Sequence, residues 1–330
     1  MLIALIILLF ALSFLITWLV VKFSSRLRMI NLPNERSLHS VPTPRGGGVA
    51  IVITWYIGIT ILYFNGFIEK NLFFSLLSGI VLAVIGLLDD IIEIKPSIRL
   101  VVQFITAILA FYFLGALRPL IIPTIEINYP LFIYPFAIVG VVWFINLFNF
   151  MDGVDGFASI EAIMISGVLF VFSGDILLLV LTAAISGFLY WNLPRAKIFM
   201  GDVGSTQLGF ILVILGIYYH NCMDFSILNW IMLSSVFWFD ATITIFRRIK
   251  NRERISTAHK KHAYQRLIQS GITHLKLDVY LIIINVVIII LIFLYRECAK
   301  EFRIPIYLIS LIMLYTAIKI IDKRMPFNKN

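Results

Sequence analysis

The chain has 330 residues, 61% of them hydrophobic and only 14% charged, with a formal net charge of +9 and a mean hydropathy of +0.98. A soluble domain is about 45–50% apolar and about 25% charged, so this composition excludes a soluble enzyme, a nucleic-acid-binding module and a disordered chain. Lipid is the solvent such a chain needs, and in a membrane protein the excess of Lys and Arg marks the cytoplasmic face rather than a nucleic-acid partner.

Apolar runs follow one another at 2–21, 47–66, 72–88, 98–117, 131–148, 157–173, 176–191, 206–220, 227–246, 277–295 and 304–321. A helix crosses a bilayer with about 20 residues. The fold class expected is therefore all-α: a polytopic membrane protein of about 11 transmembrane helices, forming one domain over residues 1–330. Barrel strands would be shorter and would alternate apolar with polar. The first run does not read as a cleaved signal peptide, because Lys22, Arg26 and Arg28 follow it instead of preceding it. That order places the N-terminus outside, and alternation then places the C-terminus in the cytoplasm. The same topology puts 22 of the 27 Lys and Arg inside and five outside, as the positive-inside rule requires. Cys222 and Cys298 both fall near outside loops, where a disulfide can form; two unpaired small hydrophobes is the preferred reading.

The inside loops, near 22–46, 89–97, 149–156, 192–205 and 247–276, carry the unusual residues. The first ends in Gly46, Gly47 and Gly48 beside Arg36, His39 and Arg45. Glycine-rich backbone before a helix can present N–H groups to an anion, or it can serve as a hinge. The second opens with Asp89 and Asp90 at a helix C-terminus, where adjacent carboxylates repel each other and oppose the dipole. Such a pair is compensated by a cation, binds one, or sits exposed in a solvated turn. In the third, Asp152 and Asp155 stand three apart with a Gly after each, and Asn146 and Asn149 lie one turn earlier. That oxygen set suits a hard cation such as Mg²⁺ or hydrogen bonds to a nucleotide, and two Asp-Gly turns capping a helix would look the same. The fourth places Asp202, Gly204 and Ser205 just before a span, as an anion site with a metal ligand or a simple N-cap. The fifth holds nine basic residues against Glu253 alone. It contains His259 and His262, too few for a zinc site without a third ligand close by. A basic loop of this kind binds phosphates and sugar, or lies on anionic lipid. Asp240 sits inside a span, about 10 Å from the helix end at 1.5 Å per residue. An intramembrane acid is functional or is paired with a basic stem from a neighbouring helix. Carboxylates gathered on one face beside many cations point to Mg²⁺ and polyphosphate chemistry.

The segments PNERSLHSVPTPRGGG, LLDD, NLFNFMDGVDG, FMGDVGS and FDATITIFRR, in that order from Pro33 onward, resemble the polyprenyl-phosphate N-acetylhexosamine-1-phosphate transferases of glycosyltransferase family 4 type. The resemblance implies a fold of ten or eleven membrane helices with a cytoplasmic active site in the bacterial inner membrane. It implies Mg²⁺, with Mn²⁺ as a substitute, a UDP-linked N-acetylated amino sugar, and undecaprenyl phosphate in the bilayer. Carried over by position, Asp202 is the expected Mg²⁺ ligand, with Asp152 beside it. Asn192 and Phe199 match positions that hold the uracil, Phe199 by stacking. Asn149 and Asp155 match positions at the nucleotide or metal, and Asp89 and Asp90 match the pair near the lipid phosphate. Asp89, Asp90, Asp152, His259 and His262 make up the catalytic candidates. Arg36, His39, Arg45, Asn149, Asp155, Asn192, Phe199, Asp240 and Arg266 make up the substrate-binding ones. Many members carry nearly contiguous histidines in the last large loop, whereas this chain has His259-Lys260-Lys261-His262. That form resembles the subgroup that initiates O-antigen or capsule repeats, often with 6-deoxy amino sugars. A homodimer is a further expectation. The alternative reading is a transporter of a nucleotide sugar or prenyl lipid, although transporter binding groups lie near the bilayer midplane and these lie at helix ends.

Overall fold

The computed structural model describes residues 2–24, 29–31, 41–92, 94–122, 125–127, 129–254, 257 and 259–328. Apolar segments become helices because lipid offers the backbone no water, and a helix satisfies its N–H and C=O groups within one segment. In chain order the elements are α1 (Leu2–Phe23), β1 (Ile30–Asn31), β2 (Thr43–Pro44), α2 (Gly48–Phe64), α3 (Lys70–Leu77), α4 (Ile80–Ile92), α5 (Pro96–Leu114), β3 (Leu120–Ile122), β4 (Ile125–Ile127), α6 (Pro130–Met151), α7 (Phe157–Ser173), α8 (Ile176–Asn192), α9 (Asp202–Asn221), α10 (Ile227–Leu233), α11 (Ser235–Lys250), α12 (Ala263–Gln269), α13 (His274–Glu297) and α14 (Lys300–Arg324). The all-α expectation gains two small antiparallel ribbons. β1 pairs with β2, Ile30 opposite Pro44, and β3 pairs with β4. Both lie between the apolar runs, where short backbone stretches pair with each other.

Each of the eleven apolar runs falls on helix. Among the described residues, seven helices are long and apolar enough to cross a membrane, with Lys70–Ile92 taken as one, and eight if the bent pair α10–α11 is one span. The helices α2, α7 and α8 are also apolar, but at 17 residues each they reach only about 25 Å. The chain is a multi-pass membrane protein. Cys222 and Cys298 are both free.

Burial ranks the helices. In α9, 83% of the apolar window is buried, against 17% in α1 and α14. The outer two expose Ile3, Ile7, Leu8, Ile312 and Ile320, a surface suited to lipid and not to water. α9 can occupy the centre because small residues let neighbouring backbones come close. A Cβ on Gly48, at the start of α2, would lie 2.3 Å from the Cα of Gly204. The pair α10–α11 bends by 74°. At the break, Trp238 Nε1 donates to the Ile231 carbonyl at 2.7 Å and Ser234 Oγ to that of Trp230 at 2.9 Å, so carbonyls near the bend keep partners.

The contact between α2 and α9 gives a direct test. Gly48→Ala should lower thermal stability in detergent by about 1–3 kcal/mol, the scale of overpacking. Gly140→Ala, inside α6 where an added Cβ meets nothing within 4 Å, should leave the melting temperature unchanged or raise it slightly.

Candidate active site

The site forms where α2, α4, α5, α6 and α9 end or begin. Asp90, whose side chain has no exposure, accepts the backbone N–H groups of Asp202 at 2.9 Å and Val203 at 3.2 Å. The first N–H groups of a helix have no partner inside it, and they carry the positive end of its dipole. A carboxylate from the unfavourable end of α4 therefore caps the favourable end of α9. Gly201 makes room: its φ is +77°, and a Cβ there would lie 2.4 Å from an Asp90 carboxylate oxygen. Arg45 completes the tie, with Nε 2.6 Å from Asp90 and Nη2 3.0 Å from Asp202. It reaches them because residues 44–48 run along residues 199–200. Phe199 N–H donates to the Pro44 carbonyl at 2.8 Å, Gly47 N–H to that of Phe199 at 2.9 Å and Gly48 N–H to that of Met200 at 2.8 Å. Burial works against the Arg45 charge, but Asp90, Asp202 and Asp89 outweigh it and hold the guanidinium above its ordinary value.

Arg99 is the residue that sequence reasoning missed. Its Nη1 lies 2.6 Å from Asp202 and also pairs with Asp89, whose other oxygen accepts the Ile94 N–H at 2.6 Å. The available signal was its place in the first turn of α5, where the helix dipole disfavours a cation.

Asn149 joins this group through Ser205, its Nδ2 donating to Oγ at 2.8 Å. Asp152 follows α6 as its C-cap. Burial, then Asp202 and Asp90, push its carboxyl well above the usual range. Asp155 and Asn192 form a second knot that links loops. Asp155 accepts the N–H groups of Arg195 and Ala196 at 3.1 and 3.2 Å and lies 3.0 Å from His274 Nδ1. Asn192 accepts the Gly156 N–H at 3.0 Å and donates to the Ile198 carbonyl at 2.9 Å. Phe199 is half-buried beside β2. Arg36 and His39 lie outside the described residues.

The fifth loop is organised separately. Asp240 accepts the N–H groups of Ala263 and Tyr264 at 2.8 and 3.2 Å and the Thr244 hydroxyl at 3.1 Å, so its partners are the start of α12 and not a basic stem. His262 is buried beside it, with Nδ1 3.8 Å away. His259 lies against His262 at 4.9 Å between ring centroids. Burial, His262 and Arg248 push the His259 imidazole down to about 4, which leaves it neutral at physiological pH. The Arg266 guanidinium is held by Asp322 at 2.7 Å. Tyr264 Oη donates to the Phe150 carbonyl at 2.9 Å, which sets α12 beside the turn that carries Asp152.

The carboxylates Asp89, Asp90, Asp152 and Asp202 face two guanidinium groups, those of Arg45 and Arg99. Among the described residues, no three His, Cys, Asp or Glu side chains stand together as a ready metal cage; the oxygens of Asp89, Asp90 and Asp202 are turned onto the arginines. The donors are nonetheless all hard oxygens, and four carboxylates against two guanidinium groups leave a net negative charge that fits a divalent cation such as Mg²⁺.

A sequence model of glycosyl transferase family 4 matches residues 72–220. A Bacillus subtilis protein named "Probable undecaprenyl-phosphate N-acetylglucosaminyl 1-phosphate transferase" is 31% identical over 271 residues, covering 78% of this chain and 75% of the relative. The chain belongs to glycosyl transferase family 4. A decaprenyl-phosphate N-acetylglucosaminephosphotransferase of Mycobacterium leprae is 30% identical over 302 residues, 78% of this chain and 74% of its own. A phospho-N-acetylmuramoyl-pentapeptide-transferase of Streptococcus thermophilus is 28% identical over 207 residues, 56% and 61% of the two chains. In this family member the matched segment holds Asp89, Asp90, Arg99, Asn149, Asp152, Asp155, Asn192, Phe199 and Asp202. Arg45 and the fifth loop lie outside that segment.

The raised Asp152 carboxyl fixes the sign of a pH effect. Its proton is bound more tightly in the folded chain, so the stability linked to it is present at low pH and lost as pH rises through the raised value. Chelator-treated protein should melt at lower temperature as pH rises from mildly acidic to alkaline, and Asp152→Asn should flatten that slope. An unchanged slope in the variant would assign the effect to another group.

Proposed function

We propose that the chain transfers a sugar 1-phosphate from a UDP-linked N-acetylated amino sugar to undecaprenyl phosphate, giving an undecaprenyl diphosphate sugar and UMP. The reaction takes place at the cytoplasmic face of the bacterial inner membrane, as the first membrane step of O-antigen or another surface polysaccharide. The sugar is an N-acetylhexosamine, with 6-deoxy forms included. The observation that carries the reading is the joining of Asp89, Asp90 and Asp202 to Arg45 and Arg99 at one end of the bundle. Family membership and the names of the relatives support it.

The chemistry is a single displacement. An oxygen of the lipid phosphate bonds to the β-phosphorus of the nucleotide sugar as the bond to UMP breaks. A phosphate monoester has a second pKa of about 6, so at neutral pH the attacking group is already mostly dianionic. Its problem is less activation than approach to another anion. Arg45 and Arg99 offset that repulsion from fixed positions. Asp90 holds the first turn of α9, and with it Asp202, in place. Asp89 shares Arg99 with Asp202 and orients the lipid phosphate. Asn149 and Phe199 bind the nucleotide, with Asn192 fixing the backbone at Gly156 and Ile198, and the fifth loop, with His259 and His262, takes the sugar and its phosphates, while Arg266 is engaged by Asp322. Asp202 and Asp152 would hold Mg²⁺, which supplies charge neutralisation across the diphosphate and on the departing UMP.

Membranes incubated with undecaprenyl phosphate, Mg²⁺ and a panel of UDP-N-acetylamino sugars should release UMP with one or a few of the panel. Asp202→Asn should abolish release while the protein remains inserted, and full activity in that variant would refute its role as ligand. UMP exchange without a lipid acceptor would overturn the single displacement. Uptake of the nucleotide sugar into liposomes without UMP release would favour transport instead.

A further inference from the structure

The fifth loop, from Arg247 to Lys276, carries nine Lys and Arg against one acid of its own, Glu253. Such a segment repels itself unless negative charge comes from elsewhere. Asp322, in the last turn of α14, supplies it. Its two oxygens take both terminal nitrogens of Arg247 at 2.9 Å each, and one of them also takes Arg266 Nη1 at 2.7 Å. Arg266 is 3% exposed; its Nη1 also donates to the Met325 carbonyl at 2.8 Å and its Nε to that of Lys261 at 3.2 Å. Beyond the helix, the Phe327 ring centre lies 5.3 Å from Arg247 Cζ, 5.4 Å from Lys261 Nζ and 5.5 Å from Arg266 Cζ. Asn328 accepts from Asn251 Nδ2 at 2.7 Å. One carboxylate and one aromatic face thus gather three cations from separate points of the loop. An acid in the last turn of a helix opposes the dipole, so Asp322 depends on these arginines as they depend on it.

On its other side, α12 rests against the turn of Asp152. The Tyr264 ring stacks on Phe157 at 5.2 Å, and a Cβ on Gly153 would lie 2.3 Å from the Tyr264 hydroxyl oxygen. We propose that Asp322 and Phe327 are positioning residues for the transferase reaction: they clamp the fifth loop from behind, so that α12 and the histidines before it keep one placement beside the Asp152 turn. Helix α14 is thereby part of the working site and not merely an outer span. This inference rests on the proposed function only in giving the loop a substrate to receive.

The test uses the full chain in detergent or proteoliposomes and two readouts. The first needs no substrate: the rate of trypsin cleavage after Arg252 and Arg254, both exposed. Asp322→Asn and Phe327→Ala should raise it by about tenfold or more, because cleavage tracks local opening. The second is steady-state kinetics with the UDP-sugar. The same variants should lose about 100-fold in kcat/KM, the scale of a group displaced by about 1 Å, with KM taking a clear share, while helical content stays that of the parent. Asp322→Glu and Phe327→Trp should recover part of both losses. Unchanged cleavage would overturn the clamp, and faster cleavage with unchanged kcat and KM would overturn its positioning role. If the parent chain turned over no UDP-sugar, the proposed function would fall and the positioning role with it, while the cleavage readout would still judge the clamp by itself.

Discussion

Asp90 reaches from the end of α4 to the backbone N–H groups at the start of α9, and that one carboxylate settles two electrostatic problems at once. A pair of acids at a helix C-terminus is unfavourable alone, and so is a helix N-terminus buried without acceptors. Set against each other, each supplies what the other lacks. Arg45 then binds Asp90 and Asp202 together, and Arg99 joins Asp202 to Asp89. The Asp90 contact fixes the first turn of α9, and with it the position from which Asp202 meets both arginines.

The placement of this cluster follows from lipid as solvent. Charged groups are costly within the hydrocarbon and are tolerated where they reach water or one another. The helices therefore carry apolar side chains along their lengths and concentrate their chemistry at one end. The interior of the bundle still needs close packing, and α9 obtains it through glycines that let α2 and other neighbours approach. The same close approach brings residues 44–48 alongside residues 199–200, so the helix packing and the shape of the site are one arrangement.

Much of this was legible in the sequence, and the limits have physical causes. The apolar runs located every long helix, because a lipid-spanning segment must be both continuous and apolar. The break between α10 and α11 was not visible, since it depends on Trp238 and Ser234 meeting carbonyls whose exposure only the bend creates. The carboxylate pair at Asp89 and Asp90 was readable as an anomaly, a charge placed against a dipole. Its answer was not, because the partner is a backbone end more than a hundred residues away. Nothing in composition sets Arg99 apart from the other inside cations. Its position at the start of α5 carried the same kind of anomaly, with the sign reversed. Asp240 was recognised as unusual, yet its partners are backbone N–H groups of a short helix, which no side-chain pattern announces. The clamp at Asp322 was hidden for the same reason: its significance lies in which distant arginines it meets.

The distance along the chain between the members of the cluster has a consequence for how the protein is made. Arg45 meets Asp202 across 157 residues, and Asp90 meets its backbone across 112. Long-range closures come late, after the intervening segments have found their places. During synthesis the segments up to α8 therefore leave the ribosome before the residue that draws the carboxylates and arginines together. Until then Asp89 and Asp90 sit at the membrane surface without the helix end that stabilises them. A nascent or truncated chain lacking α9 would keep Asp89, Asp90, Arg45 and Arg99 without Asp202, the group on which both arginines converge.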